Sequence, residues 1–263
     1  MARARFAENR PVLFSFLLIL LLFSSGALAV VASRIANLPP ANFLIYGEVI
    51  LVVVLTVLIS AIHWWKGIGY RPASSSLDLL IYAPALVLVI GNLIVNIRLG
   101  VAVDTVSAVL NILLLGLLSG FAEETIFRGL MLRAFLPRGA WTAVLASTAF
   151  FGFSHALNAL GGISSPLYAG VQIAYALAIG FCFAAMALKG GLIWPLVICH
   201  GLGNFAAFLS TGTAGGESVT SLMIIVSAAY IVFFTTVGIV IMRQVKDASS
   251  QPVGVEDGGL KSQ

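Results

Sequence analysis

The sequence predicts an all-α protein of the polytopic membrane class, a bundle of about eight transmembrane helices with both termini in the cytoplasm. Three observations carry this. Of 263 residues, 60% are hydrophobic and 9% charged, and the mean hydropathy is +1.07, a composition of lipid-embedded chains. The apolar residues gather into stretches of about 20, the length that spans a bilayer core. Basic residues also sort by side. With the N-terminus inside, inner segments hold Arg3, Arg5, Arg10, Lys66, Arg71, Arg133, Arg138, Lys189, Arg243, Lys246 and Lys261, while outer ones hold Arg34 and Arg98. That bias sets orientation. The net charge of +4 therefore speaks to topology, not to nucleic acid.

The apolar segments run over residues 12–31, 43–62, 79–97, 106–135, 141–160, 170–188, 192–209 and 221–242. The first follows Met1-Ala2-Arg3-Ala4-Arg5 and ends near Ala27-Leu28-Ala29, which resembles a signal peptide. Its length exceeds a signal core and suffices to span, so an uncleaved helix is expected. The fourth segment is longer than a bilayer requires and ends at Pro137. In the seventh, Pro195 is expected to kink the helix one turn before His200. Residues 1–242 read as one integral-membrane domain with a motif core at 106–209, and 243–263 as a polar, disordered cytoplasmic tail. Cys182 and Cys199 both lie inside apolar stretches, as buried inert thiols.

Function concentrates in the fourth segment, at Gly120-Phe121-Ala122-Glu123-Glu124-Thr125-Ile126-Phe127-Arg128-Gly129. Ionised groups in hydrocarbon are costly and mark function. Glu124 and Arg128 are four apart and face one another as an ion pair. Glu123 lies about 100° round the helix, without that partner, free to act as a base. Gly116 and Gly120, four apart, let a neighbouring helix approach closely.

Two further segments bring polar groups to the same depth. A short turn at Pro137-Arg138-Gly139-Ala140 makes the fourth and fifth segments an antiparallel hairpin. Glu123 is 16 residues before Gly139 and His155 is 16 after it. In the seventh segment His200 and Asn204 share one helical face. His200 lies ~16 Å from Lys189 and His155 ~21 Å from its turn, at helical rise. Other polar residues read as structural. Asn92, Asn96, Asn111 and Gln172 are interhelical glue, Asp78, Asp104 and Glu217 are solvated ends, His63 beside Trp64 and Trp65 is interfacial, and Glu48 is a single acid near the outer side.

A glutamate near a histidine can hold and deprotonate water, and a histidine with an asparagine on a facing helix can donate to an oxyanion. Together these describe amide hydrolysis within the membrane. No G-x-S-x-G nucleophile accompanies the cluster, which favours a water mechanism. The three motifs are E-E-x-x-x-R at Glu123 to Arg128, F-x-x-x-H at Phe151 to His155 and H-x-x-x-N at His200 to Asn204. In that order on successive helices, they resemble the type II CAAX prenyl endopeptidase family, whose bacterial branch is the CPBP (Abi) intramembrane proteases. The resemblance covers roughly residues 106–209. It implies an eight-span bundle in which Glu123 and His155 activate water, His200 and Asn204 stabilise the oxyanion, and Glu124 and Arg128 support the site. It further implies a membrane-associated or prenylated peptide substrate and a bacterial plasma membrane.

The family is often classed among metalloproteases, and Glu123, His155 and His200 are a conceivable Zn²⁺ set. The chain has no H-E-x-x-H spacing, and Asn204 beside His200 suits an oxyanion hole, so no metal is favoured. Two rival readings remain at this level. One is a transporter or proton-coupled carrier, since membrane Glu, Arg and His also form relays. The other is a non-catalytic immunity or peptide-binding protein. The oligomeric state has no signature in the sequence.

Overall fold

The structure is a computed structural model that describes residues 5–37, 43–162, 164–212 and 219–245. Every regular element among the described residues is helical. They are α1 (Arg5–Asn9), α2 (Pro11–Ile35), α3 (Phe43–Ala61), a 3-10 segment (Ser76–Ala85) leading into α4 (Leu86–Leu99), α5 (Val106–Glu124), a π turn (Thr125–Met131), α6 (Leu132–Phe135), α7 (Ala140–Ser154), α8 (Ala156–Leu160), α9 (Pro166–Gly190), α10 (Trp194–Phe208) and α11 (Ser221–Arg243). The chain is thus a polytopic helical bundle. Arg3, Glu217, Lys246, Lys261 and nearly all of the predicted tail lie outside the described residues.

Among the described residues, seven helices are long and apolar enough to cross a membrane, rather than eight. The exception is the predicted span at 192–209, which is realised as α10, 15 residues from Trp194 to Phe208, or about 22 Å at helical rise. Its start is fixed by the sequence. Gly191 adopts φ 71° at the end of α9, a left-handed cap that favours glycine, and Pro195 sits in the first turn of α10. Proline there initiates a helix, because its missing N–H is one the first turn leaves unbonded anyway. The expected kink at Pro195 is therefore absent, and the proline sets where the helix carrying His200 begins.

Packing follows small residues. On α3, Leu51, Leu55 and Ile59 are buried at four-residue intervals, while Val53, Val57 and Val49 face outward. Exposed aliphatics are normal where the surrounding solvent is lipid. Helix α9 is the axis of the bundle: ten consecutive residues from Ala178 to Ala187 are buried. It packs against α7 on one side and α11 on the other.

Polar glue appears at the expected positions with one exception. Asn92 donates to the Gly203 carbonyl at 3.1 Å and accepts from the Tyr230 hydroxyl at 2.8 Å, tying α4 to α10 and α11. Asn96 contacts Ser210, and Asn158 donates to Gln172 at 3.2 Å. Asn111, by contrast, is exposed on α5. Asp78 accepts from the backbone of Ser74 and Ser75, capping the 3-10 segment. Both cysteines are free and buried.

The segments expected on the inner side meet one another. Arg138 donates to the carbonyls of Glu8 and Asn9 at 2.7 and 3.4 Å. Arg71 donates to the Gly191 carbonyl at 3.3 Å, and Lys189 to that of Gln244 at 3.1 Å. Between α3 and the 3-10 segment the chain does not merely connect. It folds inward, with Ile68 fully buried and the Gly69 carbonyl accepting from Ile193 N–H at 3.3 Å.

Candidate active site

The site is built where α5 and α10 touch. A Cβ on Gly116 would lie 2.6 Å from the Gly201 carbonyl oxygen, and one on Gly120 would lie 2.6 Å from the Gly201 nitrogen. Only hydrogen at these positions lets the two backbones meet, as the spacing of the glycines predicts. His200, adjacent to Gly201, is thereby set directly against Glu124.

The contacts form one chain of charge. Glu124 Oε1 accepts from Arg128 Nη1 at 2.8 Å and from His200 Nδ1 at 2.7 Å. One carboxylate thus fixes the orientations of both side chains, which is more than the supporting ion pair expected of it. Because Nδ1 bonds to Glu124, Nε2 is the ring nitrogen that turns towards Glu123. It lies 3.5 Å from Glu123 Oε2, an ion-pair distance beyond hydrogen bonding. Glu124 and Arg128 keep no side-chain exposure, whereas Glu123 keeps 19%. Glu123 is accordingly the carboxylate that can meet a substrate or a water.

Downstream of Glu124 the helix widens. Over Thr125–Met131 it is a π turn, closed by the Leu132 N–H bonding back to the Phe127 carbonyl. Such insertions recur at functional sites because they re-aim side chains without ending the helix. All seven residues of the turn are buried. The Arg128 guanidinium lies 4.0 Å from the centre of the Phe151 ring and 5.7 Å from that of Phe183, so aromatic faces solvate the part of the charge that Glu124 does not.

Helix α7 meets this wall in the register the hairpin predicts. Phe127 and Phe151, equidistant from Gly139 in sequence, stack edge to face at 5.2 Å. Gly139 itself adopts φ 101° at the turn, and Ser147 Oγ donates to the Phe127 carbonyl at 2.8 Å. His155 follows one turn after Phe151, edge-on to it at 5.2 Å, at the break between α7 and α8. Phe151 also abuts His200 at 5.9 Å, so both imidazoles pack edge-on against one ring. The imidazole paired with Glu123 is His200, and no ion pair joins Glu123 to His155 among the described residues. Asn204 lies one turn beyond His200, half-buried, and its amide makes no hydrogen bond among the described residues.

Two residues beside the site were not assigned to it from the sequence. Tyr70, from the inward-folded 62–75 segment, shares a 2.8 Å hydrogen bond with Thr125 and stacks on Phe121 at 5.7 Å. Burial pushes its phenol above the ordinary value, opposed by the bond to Thr125. The other is Glu48. Its Oε1 accepts from Ser119 Oγ at 3.5 Å, and Ser119 stands one turn before Glu123 on α5. Counted from the start of α3, Glu48 looks peripheral. Counted back from Ala61 it lies ~20 Å deep at helical rise, level with the site. That second count was the available signal.

Among the described residues no three His, Cys, Asp or Glu groups are arranged to hold a metal ion. His200 Nδ1 is hydrogen-bonded to Glu124, and His155 packs edge-on against Phe151. An open three-ligand zinc site requires its donors to converge on one point.

Fold and site together define a multi-pass membrane protein with a buried ionisable cluster at the join of two helices. The model of the family described as Type II CAAX prenyl endopeptidase Rce1-like matches residues 105–206, a stretch that contains all three motifs. The resemblance carried by those motifs is thereby shown for that stretch. No curated protein and no solved structure matches the chain.

Proposed function

We propose that the chain is an intramembrane endopeptidase of the CAAX prenyl endopeptidase type, hydrolysing a peptide bond of a membrane-associated or prenylated substrate near the cytoplasmic side. We place it in a bacterial cell membrane. The observation that carries this reading is the Glu123–His200–Glu124–Arg128 cluster, lying inside the stretch matched by the endopeptidase family. Such a cluster is expensive to bury and is kept for chemistry.

Glu123 accepts a proton from water, and the resulting hydroxide adds to the substrate carbonyl. His155 orders that water from the α7 side. As the imidazolium, His200 offers Nε2–H to the developing oxyanion while Glu124 accepts from Nδ1–H, and Asn204 donates from one turn further along. Arg128 neutralises Glu124, so that the carboxylate orients the ring without adding unbalanced charge. As the C–N bond breaks, the proton held on Glu123 passes to the leaving nitrogen. The step uses one water and no metal.

The test is cleavage of tethered peptides, including prenylated C-a-a-X tails, by purified wild type and Glu123→Gln in proteoliposomes with a chelator present. Cleavage by wild type and a loss of about 10²–10⁴-fold in the variant is expected. Cleavage that needs added zinc, or a fully active variant, overturns the assignment. Solute or ion flux without cleavage would make the protein a carrier.

A further inference from the structure

Helix α3 lies outside the stretch matched by the endopeptidase family, yet it delivers a carboxylate to the cluster. Glu48 reaches Ser119 Oγ with Oε1 at 3.5 Å, while Ser119 also donates to the Leu115 carbonyl at 3.0 Å. A serine has one proton to give, so Ser119 divides it between the two acceptors and holds Glu48 only weakly. The remaining oxygen, Oε2 of Glu48, is buried and has no hydrogen-bond partner, and the same is true of Oε2 of Glu123. Ser119 and Glu123 are four apart on α5, so a side chain that touches the first is alongside the second. The two carboxylates also interact electrostatically. Two unsatisfied oxygens on neighbouring carboxylates in hydrocarbon are a costly arrangement. A shared proton removes the repulsion and satisfies both oxygens.

We infer that Glu48 is a positioning residue of the reaction, the second member of a carboxylate pair that shares a proton with Glu123. The inference rests on the reading of Glu123 as the base. At rest the pair holds one proton. When water adds to the carbonyl, its oxygen bonds to carbon and its proton passes to Glu123, so the pair holds two. One of these leaves on the nitrogen as the C–N bond breaks, and the pair returns to one. Glu48 keeps the proton count without touching substrate.

The other charged groups around the pair are few. Glu124 stands beside Glu123 on α5, Arg128 follows in the π turn, and His200 faces from α10. Helix α2 packs on α3 at Gly47, against Gly26 and Ala29, and its one ionisable residue, Arg34, lies in the last turn. These groups remain in place when either glutamate of the pair is changed, so their effect cancels in a comparison of variants.

The experiment is isotope-edited infrared titration of glutamate carboxyls in full-length protein in lipid nanodiscs, comparing wild type, Glu48→Gln, Glu123→Gln and the double variant. It requires no substrate. Wild type should titrate the pair in two steps, and each single variant in one step lying about one pH unit or more, a tenfold change in proton affinity, below the upper of the two. The double variant should lose both. Ser119→Ala, which frees Glu48 from its anchor, should narrow the separation between the steps and serves if Glu48→Gln does not fold. Single variants that each reproduce one wild-type step unchanged overturn the pair. The two readings fail separately. Coupled titration with an active Glu123→Gln removes the base and leaves the pair, whereas uncoupled titration with an inactive Glu123→Gln removes the pair and leaves the base.

Discussion

Gly120 of α5 and Gly201 of α10 meet backbone to backbone: a Cβ on Gly120 would stand 2.6 Å from the Gly201 nitrogen and 2.8 Å from its Cα. This join decides the distance between Glu124 and His200, and thus whether the site exists. Neither backbone can move aside cheaply, since each is held in its own helix.

Gly120→Ala is therefore expected to destabilise the protein by about 1–3 kcal/mol, the usual cost of overpacking a tight interface. It should also lower peptide cleavage by prising His200 from Glu124. Gly170→Ala is the matched control, because nothing lies within 4 Å of a Cβ there. It should be neutral or stabilising by up to ~1 kcal/mol through helix propensity. Thermal unfolding in detergent and cleavage rates on the same preparations check both. Equal effects at the two positions would show that the close approach is not what matters.

The Glu124–Arg128 pair makes a different kind of prediction. Both side chains are fully buried, and removing one member of a buried pair leaves an uncompensated charge at a cost of about 3–5 kcal/mol. Arg128→Met should lower stability by that order. Adding Glu124→Gln to it should recover part of the loss, since the orphaned carboxylate is then gone. Activity should not return in the double variant, because the acceptor that fixes His200 Nδ1 is gone too. Unfolding midpoints and cleavage rates of the two singles and the double complete the cycle. A double variant less stable than both singles would sink the account.

What could be read from the sequence was what helical periodicity and bilayer length determine. Four-residue spacing gave the Glu124–Arg128 pair and the shared face of Gly116 and Gly120, and equal counts about Gly139 gave the register that brings Phe127 to Phe151. The failures have physical reasons. Pro195 was misread because a proline in the first turn and one inside a helix look alike until the start of the helix is known. Depth along a helix does not report azimuth, so equal counts about Gly139 could not show that the ion-pair partner of Glu123 is His200. His155 and His200 both pack edge-on against Phe151, from α7 and α10. The π turn changes the angular spacing after Glu124, and no residue preference in the sequence announces it. Tyr70 reaches Thr125 across 55 residues, a contact that no local pattern encodes.

Two asparagines give the sharpest separation of packing from catalysis. Asn92 spends its amide on the Gly203 carbonyl and the Tyr230 hydroxyl, holding three helices together. Asn204 is half-buried one turn from His200 and makes no hydrogen bond among the described residues. An idle amide beside the imidazole is what an oxyanion donor looks like before substrate arrives. Asn92→Ala should thus lower the unfolding midpoint, by an amount corresponding to about 1–2 kcal/mol for interhelical hydrogen bonds in a membrane, and change kcat little in the folded fraction. Asn204→Ala should leave the midpoint near wild type and lower kcat by about 10²–10³-fold, the loss seen when one oxyanion donor is removed, with KM nearly constant. Steady-state cleavage of the tethered peptide, corrected for folded protein, reads both quantities. If Asn204→Ala instead lowers the midpoint and spares kcat, the amide is another packing contact and His200 alone must carry the oxyanion.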